Sequence, residues 1–270
     1  MLPLRQFPLA QRCRIIGVFT DIDDTLTTEA AITADALQAL YDLKAAGLHV
    51  IPITGRPVGW SEPFAVSWPV DCILAENGSA ALFNPQKCQK PLSNMREQLS
   101  KSYQTDTHQR AANFARMQQV LARIERDIAG AQRTTDSAGR ETDIAIDHSE
   151  FAHLPPERIA QVVQIMQSEG MNATVSSIHI NGWYGTHNKL QGAHWIVREM
   201  WGRNLDAELD QWVYIGDSTN DQLMFEAFAH SVGVANIARF LPELEHKPRY
   251  ITLAERGAGF AEFARFLLRK

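Results

Sequence analysis

The order of apolar and polar positions along the first part of the chain predicts alternating strands and helices. Residues 14–20 (RIIGVFT) and 49–53 are short apolar runs rich in β-branched residues, which is typical of buried strands. Between them, leucines recur at helical spacing and predict a helix over 33–47. A helix over 58–67 and a strand over 71–75 continue the alternation. Strands and helices in this order indicate right-handed crossovers and a parallel sheet.

The pattern of apolar and polar residues changes in the middle of the chain, beginning with a polar stretch of little periodicity from about residue 85. The elements predicted there are a helix over 107–128, a strand over 142–147, a helix over 155–168, and short strands over 172–175 and 177–181. This mixture resembles an inserted α+β module rather than a continuation of the α/β pattern.

The alternation returns near residue 188. The pattern predicts a helix over 188–201, strands near 211–215, 231–234 and 250–253, and a closing helix over 257–268. We therefore expect an α/β fold in which residues 1–84 and 186–270 form a discontinuous core. Residues 85–185 would form a separate module inserted into it.

Composition and charge narrow the possible partners. Of 270 residues, 45% are hydrophobic and 21% charged, as in an ordinary globular protein, and the net charge is −5. This charge gives no reason to expect nucleic acid or an anionic membrane as a partner. The sequence also lacks a long apolar stretch and a signal-peptide pattern. The sparse cysteines Cys13, Cys72 and Cys88 suit a reducing compartment, so a cytoplasmic location is expected.

Acidic residues are concentrated where predicted strands end. Asp21, Asp23 and Asp24 directly follow the first strand, and Asp217 and Asp221 follow a later one. In an open α/β sheet, ligands bind at the carboxyl ends of the strands, where these groups would meet. Several carboxylates in one place repel each other unless a cation is bound, and few hard oxygen ligands suit Mg²⁺. The pattern therefore predicts a magnesium site.

Four motifs, taken together, resemble those of the haloacid dehalogenase superfamily. In order they are DIDDT at residues 21–25, Thr54 within ITGR, Lys189, and GDSTND at residues 216–221. The insertion between the second and third motifs is similar to the class II, subclass B cap. That group includes Cof-like, sucrose-phosphate and mannosylphosphoglycerate phosphatases and phosphomannomutases. The resemblance implies a Rossmann-like, three-layer parallel-sheet core with an inserted α+β cap domain.

The resemblance also implies catalytic roles. Asp21 would be the nucleophile that forms an acyl phosphate, and Asp23 the general acid and then the base. Thr54 and Lys189 would bind the oxygens of the phosphoryl group during transfer.

The same resemblance implies the ligands of Mg²⁺. They would be Asp21, the backbone carbonyl of Asp23, and Asp217, with Asn220 and Asp221 close behind.

Substrate-binding candidates are Gly55, Arg56, Arg140, Asp143 and His179. Gly55 and Arg56 follow a strand of the core, whereas the other three lie in the cap segment. For the cap residues, an ordinary surface or strand-packing role explains the pattern equally well.

Two positions depart from the family pattern: Leu190 follows Lys189 where many relatives have glycine, and Asn181 stands where an acidic residue is common. The expected function is hydrolysis of a small phosphorylated metabolite, namely a sugar or glycosyl phosphate. The alternatives are a phosphosugar mutase and a non-catalytic regulator that binds a phosphometabolite. The sequence makes no prediction of oligomeric state.

Overall fold

The computed structural model describes residues 1–84 and 99–269. Its strands are β1 (Leu2–Pro3), β2 (Gly17–Thr20), β3 (Thr27–Thr28), β4 (Ala31–Ile32), β5 (His49–Pro52), β6 (Ile73–Ala75), β7 (Ala80–Phe83), β8 (Ser100–Tyr103), β9 (Gln132–Arg133), β10 (Ile144–Asp147), β11 (Asn172–Val175), β12 (His179–Trp183), β13 (Trp212–Gly216), β14 (Ser231–Gly233) and β15 (Tyr250–Ile251).

The α-helices are α1 (Leu9–Arg12), α2 (Ala34–Ala45), α3 (Val58–Ser67), α4 (Thr107–Asp127), α5 (Pro156–Ser168), α6 (Lys189–Trp201), α7 (Gln222–Ala227) and α8 (Arg256–Leu268). Short 3₁₀ turns at Glu76–Gly78, Ser137–Gly139, Thr219–Asp221 and Ala235–Phe240 lie close to the site described below.

A six-stranded sheet in the order β1-β15-β14-β13-β2-β5 forms the centre of the molecule, and each of its pairings is parallel. Successive side chains of a strand point to opposite faces. On one face, Val18 and Val213 pack with α2, α3 and α8. On the other, Phe19 and Trp212 pack with α6 and α7. The sheet is therefore the middle of three layers, with both faces buried.

The insertion is built around a four-stranded antiparallel sheet in the order β11-β12-β10-β9. Ile144, Ile146 and Ile180 on one face of this sheet pack against α4 and α5 in a separate apolar core. The alternate positions of β10 and β12 carry polar groups such as His179 and Asn181, which are also buried. Asn181 contacts the parallel-sheet core through the Gly55 carbonyl, and His179 pairs with Glu150 within the insertion. We call residues 107–183 the cap unit.

The predicted fold class is confirmed, and the predicted helices end within two residues of the observed ones. The strand expected over 71–75 differs, because β6 joins an antiparallel sheet with β7 and β8. One parallel bridge, between Ile53 and Leu74, connects it to the end of β5. Strands β7 and β8, with no clear alternation, were not predicted.

Two sequence-based expectations concern residues outside the described part. These are Cys88 and the start of the insertion at residue 85. Cys13 and Cys72 are free cysteines. Within residues 1–84 and 99–269, no helix combines the length and apolar composition that crossing a membrane requires.

Candidate active site

The predicted motifs meet at one edge of the central sheet. Asp21 follows β2, Thr54 lies two residues beyond β5, and Asp217 follows β13. These three strands are neighbours in the order β13-β2-β5, so their carboxyl ends are adjacent. Thr54 is held by its backbone N–H, which donates to the Leu74 carbonyl at 2.9 Å. Its hydroxyl oxygen accepts the backbone N–H of Arg56 at 3.0 Å.

Three buried carboxylates form the centre of the site. One oxygen from each of Asp21, Asp217 and Asp221 lies within 4.8 Å of the others. Lys189, the first residue of α6, places its Nζ 2.6 Å from Asp21 Oδ1 and 2.7 Å from Asp221 Oδ1. The structure thus places Asp221 within the carboxylate cluster itself. Asn220 lies beside it, where its Oδ1 accepts the Ser218 hydroxyl at 2.9 Å.

The ionisation of this cluster follows from its burial. Loss of solvation raises the pKa of Asp21 to about 8, although Lys189 opposes the shift. Burial, together with the charge of Asp21, also raises the pKa of Asp217 well above its usual range. Burial alone would lower the pKa of Lys189, but Asp21 and Asp221 outweigh it and raise this pKa, so the ammonium stays charged. Lys189 contacts only two of the three carboxylates, and a divalent cation bound between all three would relieve the repulsion between them.

Asp221 is oriented by several donors. The Tyr214 hydroxyl donates to Oδ1, while the backbone N–H groups of Asp217 and Ser218 donate to Oδ2 at 3.0 and 3.1 Å. Gly216 is required here, because a Cβ atom at this position would collide with the Asp221 carboxylate. The glycine of the GDSTND motif therefore lets the aspartate fold back against the end of its own strand.

A fourth strand end contributes residues that the sequence did not single out. Asn236, three residues beyond β14, donates to Asp217 Oδ2 at 3.1 Å and to the carbonyl of Asp24 at 3.0 Å. Arg239 reaches Asp24 Oδ2 at 2.6 Å and Asp217 Oδ2 at 3.3 Å. The only sequence signal was their place after a buried strand, because neither belongs to an acidic cluster. They hold the carboxylate of Asp217 from the outer side of the site.

The carboxylate of Asp23 faces Arg56. Its Oδ1 accepts Arg56 Nε at 3.0 Å and Nη2 at 2.9 Å, and its Oδ2 accepts Nε at 3.1 Å. The opposite edge of the guanidinium meets Glu150 at 2.7 and 3.2 Å and Asp136 at 3.2 Å. A guanidinium has five N–H groups, and these contacts use all of them. Arg56, which the sequence predicted to bind substrate, bridges the core and the cap unit through these contacts.

Glu150 and His179 form a pair on the cap side. His179 Nε2 donates to Glu150 Oε2 at 2.7 Å. Burial alone would raise the pKa of Glu150, but hydrogen bonds from His179 and Arg56 outweigh it and lower this pKa to about 2. Glu150 is therefore a carboxylate at neutral pH. Neither Glu150 nor Asp136 carried a sequence signal, because each is an isolated acid in a polar stretch.

Of the other two predicted cap residues, Arg140 contacts the backbone of the core and Asp143 contacts Arg140. Arg140 Nη1 and Asn181 Nδ2 donate to the Gly55 carbonyl at 3.0 and 3.1 Å. Both also donate to Asp143, at 2.8 and 2.9 Å. Burial raises the pKa of Asp143 to about 7, against the opposing effect of Arg140. The arrangement ties the loop after β5 to the cap unit.

Glu76 forms a second contact between the core and the cap unit. Its buried carboxylate accepts the backbone N–H groups of Glu141 and Thr142 in the cap, and of Val58 at the start of α3. Beside it, Gly59 of α3 and Gly139 of the cap approach so closely that a Cβ on Gly59 would lie 2.9 Å from Gly139 Cα. Glu76 follows the strand predicted over 71–75 and was not singled out from the sequence.

A cavity of about 510 Å³ opens between the core and the cap unit, beside these residues. Asp23, Asp24, Arg56 and Arg239 line it from the core, and residues 148–151 line it from the cap. It is large enough for a small metabolite, and most of the residues that line it are of polar or charged type.

Comparison with known proteins identifies the family. The family model for haloacid dehalogenase-like hydrolases matches residues 18–263. The chain therefore belongs to that family of hydrolytic enzymes. The cap unit inserted between the Thr54 and Lys189 motifs places it more narrowly in class II, subclass B.

Individual relatives are distant in sequence. A protein of Streptococcus pyogenes serotype M6 named "Putative phosphatase M6_Spy0533" is 24% identical over 269 residues, covering 92% of this chain and 96% of that one. The crystal structure of Thermoplasma acidophilum 0175 has a TM-score of 0.71 and 17% identity, covering 94% and 99%. That of the sucrose-phosphatase from Synechocystis sp. PCC6803, in complex with sucrose and phosphate, has a TM-score of 0.63 and 16% identity, covering 93% and 97%. Both structures share the fold.

Proposed function

We propose that this enzyme is a Mg²⁺-dependent phosphatase that hydrolyses a small phosphorylated metabolite, a sugar or glycosyl phosphate, through a phospho-aspartate on Asp21. The observation that carries the proposal is the buried contact of Asp21 with Lys189 at 2.6 Å, inside a cluster that includes Asp217 and Asp221. Several buried carboxylates around one ammonium group at a strand end form the kind of arrangement that active sites use to shift pKa values.

In this proposal Asp21 attacks phosphorus and the leaving group departs with its oxygen. The acyl phosphate is then hydrolysed by water, which regenerates the carboxylate. Lys189 and the Thr54 hydroxyl bind the phosphoryl oxygens and hold them in line with the attacking oxygen. Asp23 donates a proton to the leaving oxygen and later accepts one from water. Asp23 Oδ2, with its single contact to Arg56, is the oxygen best placed to carry that proton.

The residues suited to hold Mg²⁺ are Asp21, Asp217 and Asp221, with the backbone carbonyl of Asp23. When bound, the ion would neutralise charge on the phosphoryl group and keep Asp21 ionised. The negative charge of the cluster supports a divalent ion, and the small number of hard oxygen ligands supports magnesium.

A sugar phosphate is proposed from two further observations. The 510 Å³ cavity offers hydrogen-bonding groups to a hydroxyl-rich leaving group. A structure with the same fold, the Synechocystis sucrose-phosphatase, was crystallised with sucrose and phosphate. The proposed division, with residues 85–185 as the cap and 1–84 with 186–270 as the core, assigns the far wall of the cavity to the cap. Strand β8 pairs with β7 across that boundary.

The proposal is tested by phosphate release from a panel of phosphometabolites and p-nitrophenyl phosphate with Mg²⁺. Asp21→Asn should lose essentially all turnover while melting at a similar or higher temperature, because the amide forms no acyl phosphate and adds no buried charge. Chelation should abolish activity, and Ca²⁺ should restore it poorly because it accepts looser geometry. A folded Asp21→Asn enzyme with more than a few per cent of the activity would contradict the mechanism. Isomerised sugar phosphate without free phosphate would indicate a mutase.

A further inference from the structure

Arg56 connects the proposed acid of the core with two acids of the cap unit. Asp23 belongs to the loop after β2, whereas Asp136 and Glu150 belong to the cap, 80 and 94 positions away from Arg56. The Arg56 side chain is 4% exposed, and the three carboxylates are 13–14% exposed. If one of these shielded ion pairs separated, each charge would stay buried without a partner. The pairs therefore restrict the positions of the four side chains.

Among residues 1–84 and 99–269, Arg56 alone holds the carboxyl group of Asp23. In the part of the chain that the structure describes, no other side chain hydrogen-bonds these two oxygens. A planar guanidinium that uses Nε and Nη2 on one carboxylate fixes the plane of that group as well as its distance. The orientation of Asp23 therefore depends on the orientation of Arg56.

The cap in turn fixes the orientation of Arg56. Glu150 meets its Nη1 and Nη2 with two oxygens, at 3.2 and 2.7 Å. Glu150 itself is restrained by His179 at 2.7 Å. Its loop is restrained by Asp147, whose carboxylate accepts the backbone N–H groups of residues 149–152 at 2.9–3.1 Å. The acid that holds Arg56 is thus part of a rigid loop.

We propose that Glu150 is a positioning residue for proton transfer. By holding Arg56 it fixes the Asp23 carboxyl group in the direction of the leaving oxygen, so Asp23 is correctly placed only when the cap is docked. The inference rests on the proposed function, because it assumes that Asp23 is the general acid. It adds to that function a residue of the cap that reaches the chemistry without touching the reacting atoms.

If Glu150 positions Asp23, its substitution should change how the rate depends on the basicity of the leaving group. If Glu150 has only a structural role, that dependence should stay the same. Protonation by a general acid matters most when the departing oxygen is basic, and little when the leaving group is stable as an anion. Phenyl phosphate and p-nitrophenyl phosphate are similar in shape, but phenolate is the more basic leaving group. Misplacing Asp23 should slow the first far more than the second, whereas a distorted fold or weaker binding should slow both.

The experiment compares kcat/KM for both substrates in the wild type and Glu150→Gln. This constant reports phosphoryl transfer to Asp21 and not the later hydrolysis of the acyl phosphate, which is common to both substrates. Glutamine has one acceptor oxygen, and its NH₂ opposes the second N–H of the fork. Because general acid catalysis contributes roughly 10²–10⁴-fold, partial loss of orientation should lower kcat/KM on phenyl phosphate about tenfold relative to p-nitrophenyl phosphate. Asp136→Asn, which weakens one contact of 3.2 Å to Arg56 and one of 3.4 Å to Arg140, should change the same ratio in the same direction but less. Glu125→Gln is the matched control, since Glu125 forms a similar two-oxygen pair with Arg133 on the outer side of the cap.

The possible results distinguish failure of the positioning role of Glu150 from failure of the proposed function. If Glu150→Gln and Asp136→Asn leave the ratio unchanged, or lower both rates equally, Glu150 has no positioning role and the inference is overturned. If Glu150→Gln does not fold, Asp136→Asn decides by the same criterion. If the wild type releases phosphate from no member of the phosphometabolite panel, or folded Asp21→Asn retains activity, the proposed function is wrong and the inference falls with it.

Discussion

The contact of Gly59 with Gly139 gives the most direct test of whether the docked cap is the active arrangement. Gly59→Ala places a Cβ 2.9 Å from Gly139 Cα and 3.4 Å from the Gly139 carbonyl oxygen. Both obstacles are backbone atoms, so no side-chain rotation can relieve the contact. Gly59 lies in α3 and touches none of the proposed catalytic groups. The substitution should therefore move the cap without altering the chemistry of the core.

The size of the effect follows from the contact distance. Carbon atoms pack at about 3.5–4.0 Å, so the two backbones must separate by roughly 0.6–1 Å. Overpacking of this kind costs about 1–3 kcal/mol, partly offset because Ala is the better helix former by up to about 1 kcal/mol. A displacement near 1 Å at a catalytic group costs on the order of 10²-fold in rate. We expect kcat/KM to fall about 10- to 100-fold with only a small change in Tm.

The assay is hydrolysis of p-nitrophenyl phosphate together with thermal unfolding of each variant. Gly139→Ala should have a smaller effect in the same direction, because its Cβ would lie 3.2 Å from Gly59 Cα. Since the two residues meet each other, the double variant should be non-additive. Val66→Ala, at an exposed position of α3, serves as the control. A folded Gly59→Ala enzyme with wild-type kcat/KM would refute the idea that this docked arrangement is needed for turnover.

Two further predictions concern buried charges. Lys189→Met should abolish turnover. It should also lower the free energy of unfolding in metal-free buffer by about 3–5 kcal/mol, because it leaves buried carboxylates without their cation. An unchanged Tm in the presence of a chelator would contradict this prediction. Burial lowers the pKa of His187 to about 4, so the unfolded chain takes up a proton first as pH falls below about 6.5. His187 therefore does not lower the free energy of unfolding above pH 6.5. As pH falls toward 4, protonation of His187 in the unfolded chain lowers this free energy by up to about 3 kcal/mol. His187→Phe should remove this part of the pH dependence in urea unfolding, and an unaltered slope would show that His187 is not responsible.

The core of the site was predictable because its residues are placed by local rules. Asp21, Thr54 and Asp217 each follow a buried strand of a parallel sheet, and the topology of such a sheet brings the ends of neighbouring strands together. Apolar runs and helical spacing are sufficient to locate those strands. The motifs then supply the chemistry without any knowledge of side-chain packing.

The contacts of the cap were not predictable in the same way. Whether Glu150 reaches Arg56 depends on how a separate antiparallel sheet is oriented on the core, and no periodicity encodes that orientation. The alternation of residues 142–147 did indicate one polar face, and Asp143 lies on it. It did not show that this face is buried against the loop after β5. Glu76 was missed for a related reason, since its partners are backbone N–H groups 65 and 66 positions away.

The structure shows the surroundings of Asn181 and Leu190, the two residues that depart from the family pattern. Asn181 is 1% exposed, and its amide donates both to the Gly55 carbonyl and to Asp143. An ionised acid there has no proton to donate to either acceptor and would add a second negative charge beside Asp143. Leu190 packs against the apolar cluster under α6. Neither residue lines the 510 Å³ cavity. The two departures therefore affect how the cap docks and how α6 packs, and they leave the groups that line the cavity unchanged.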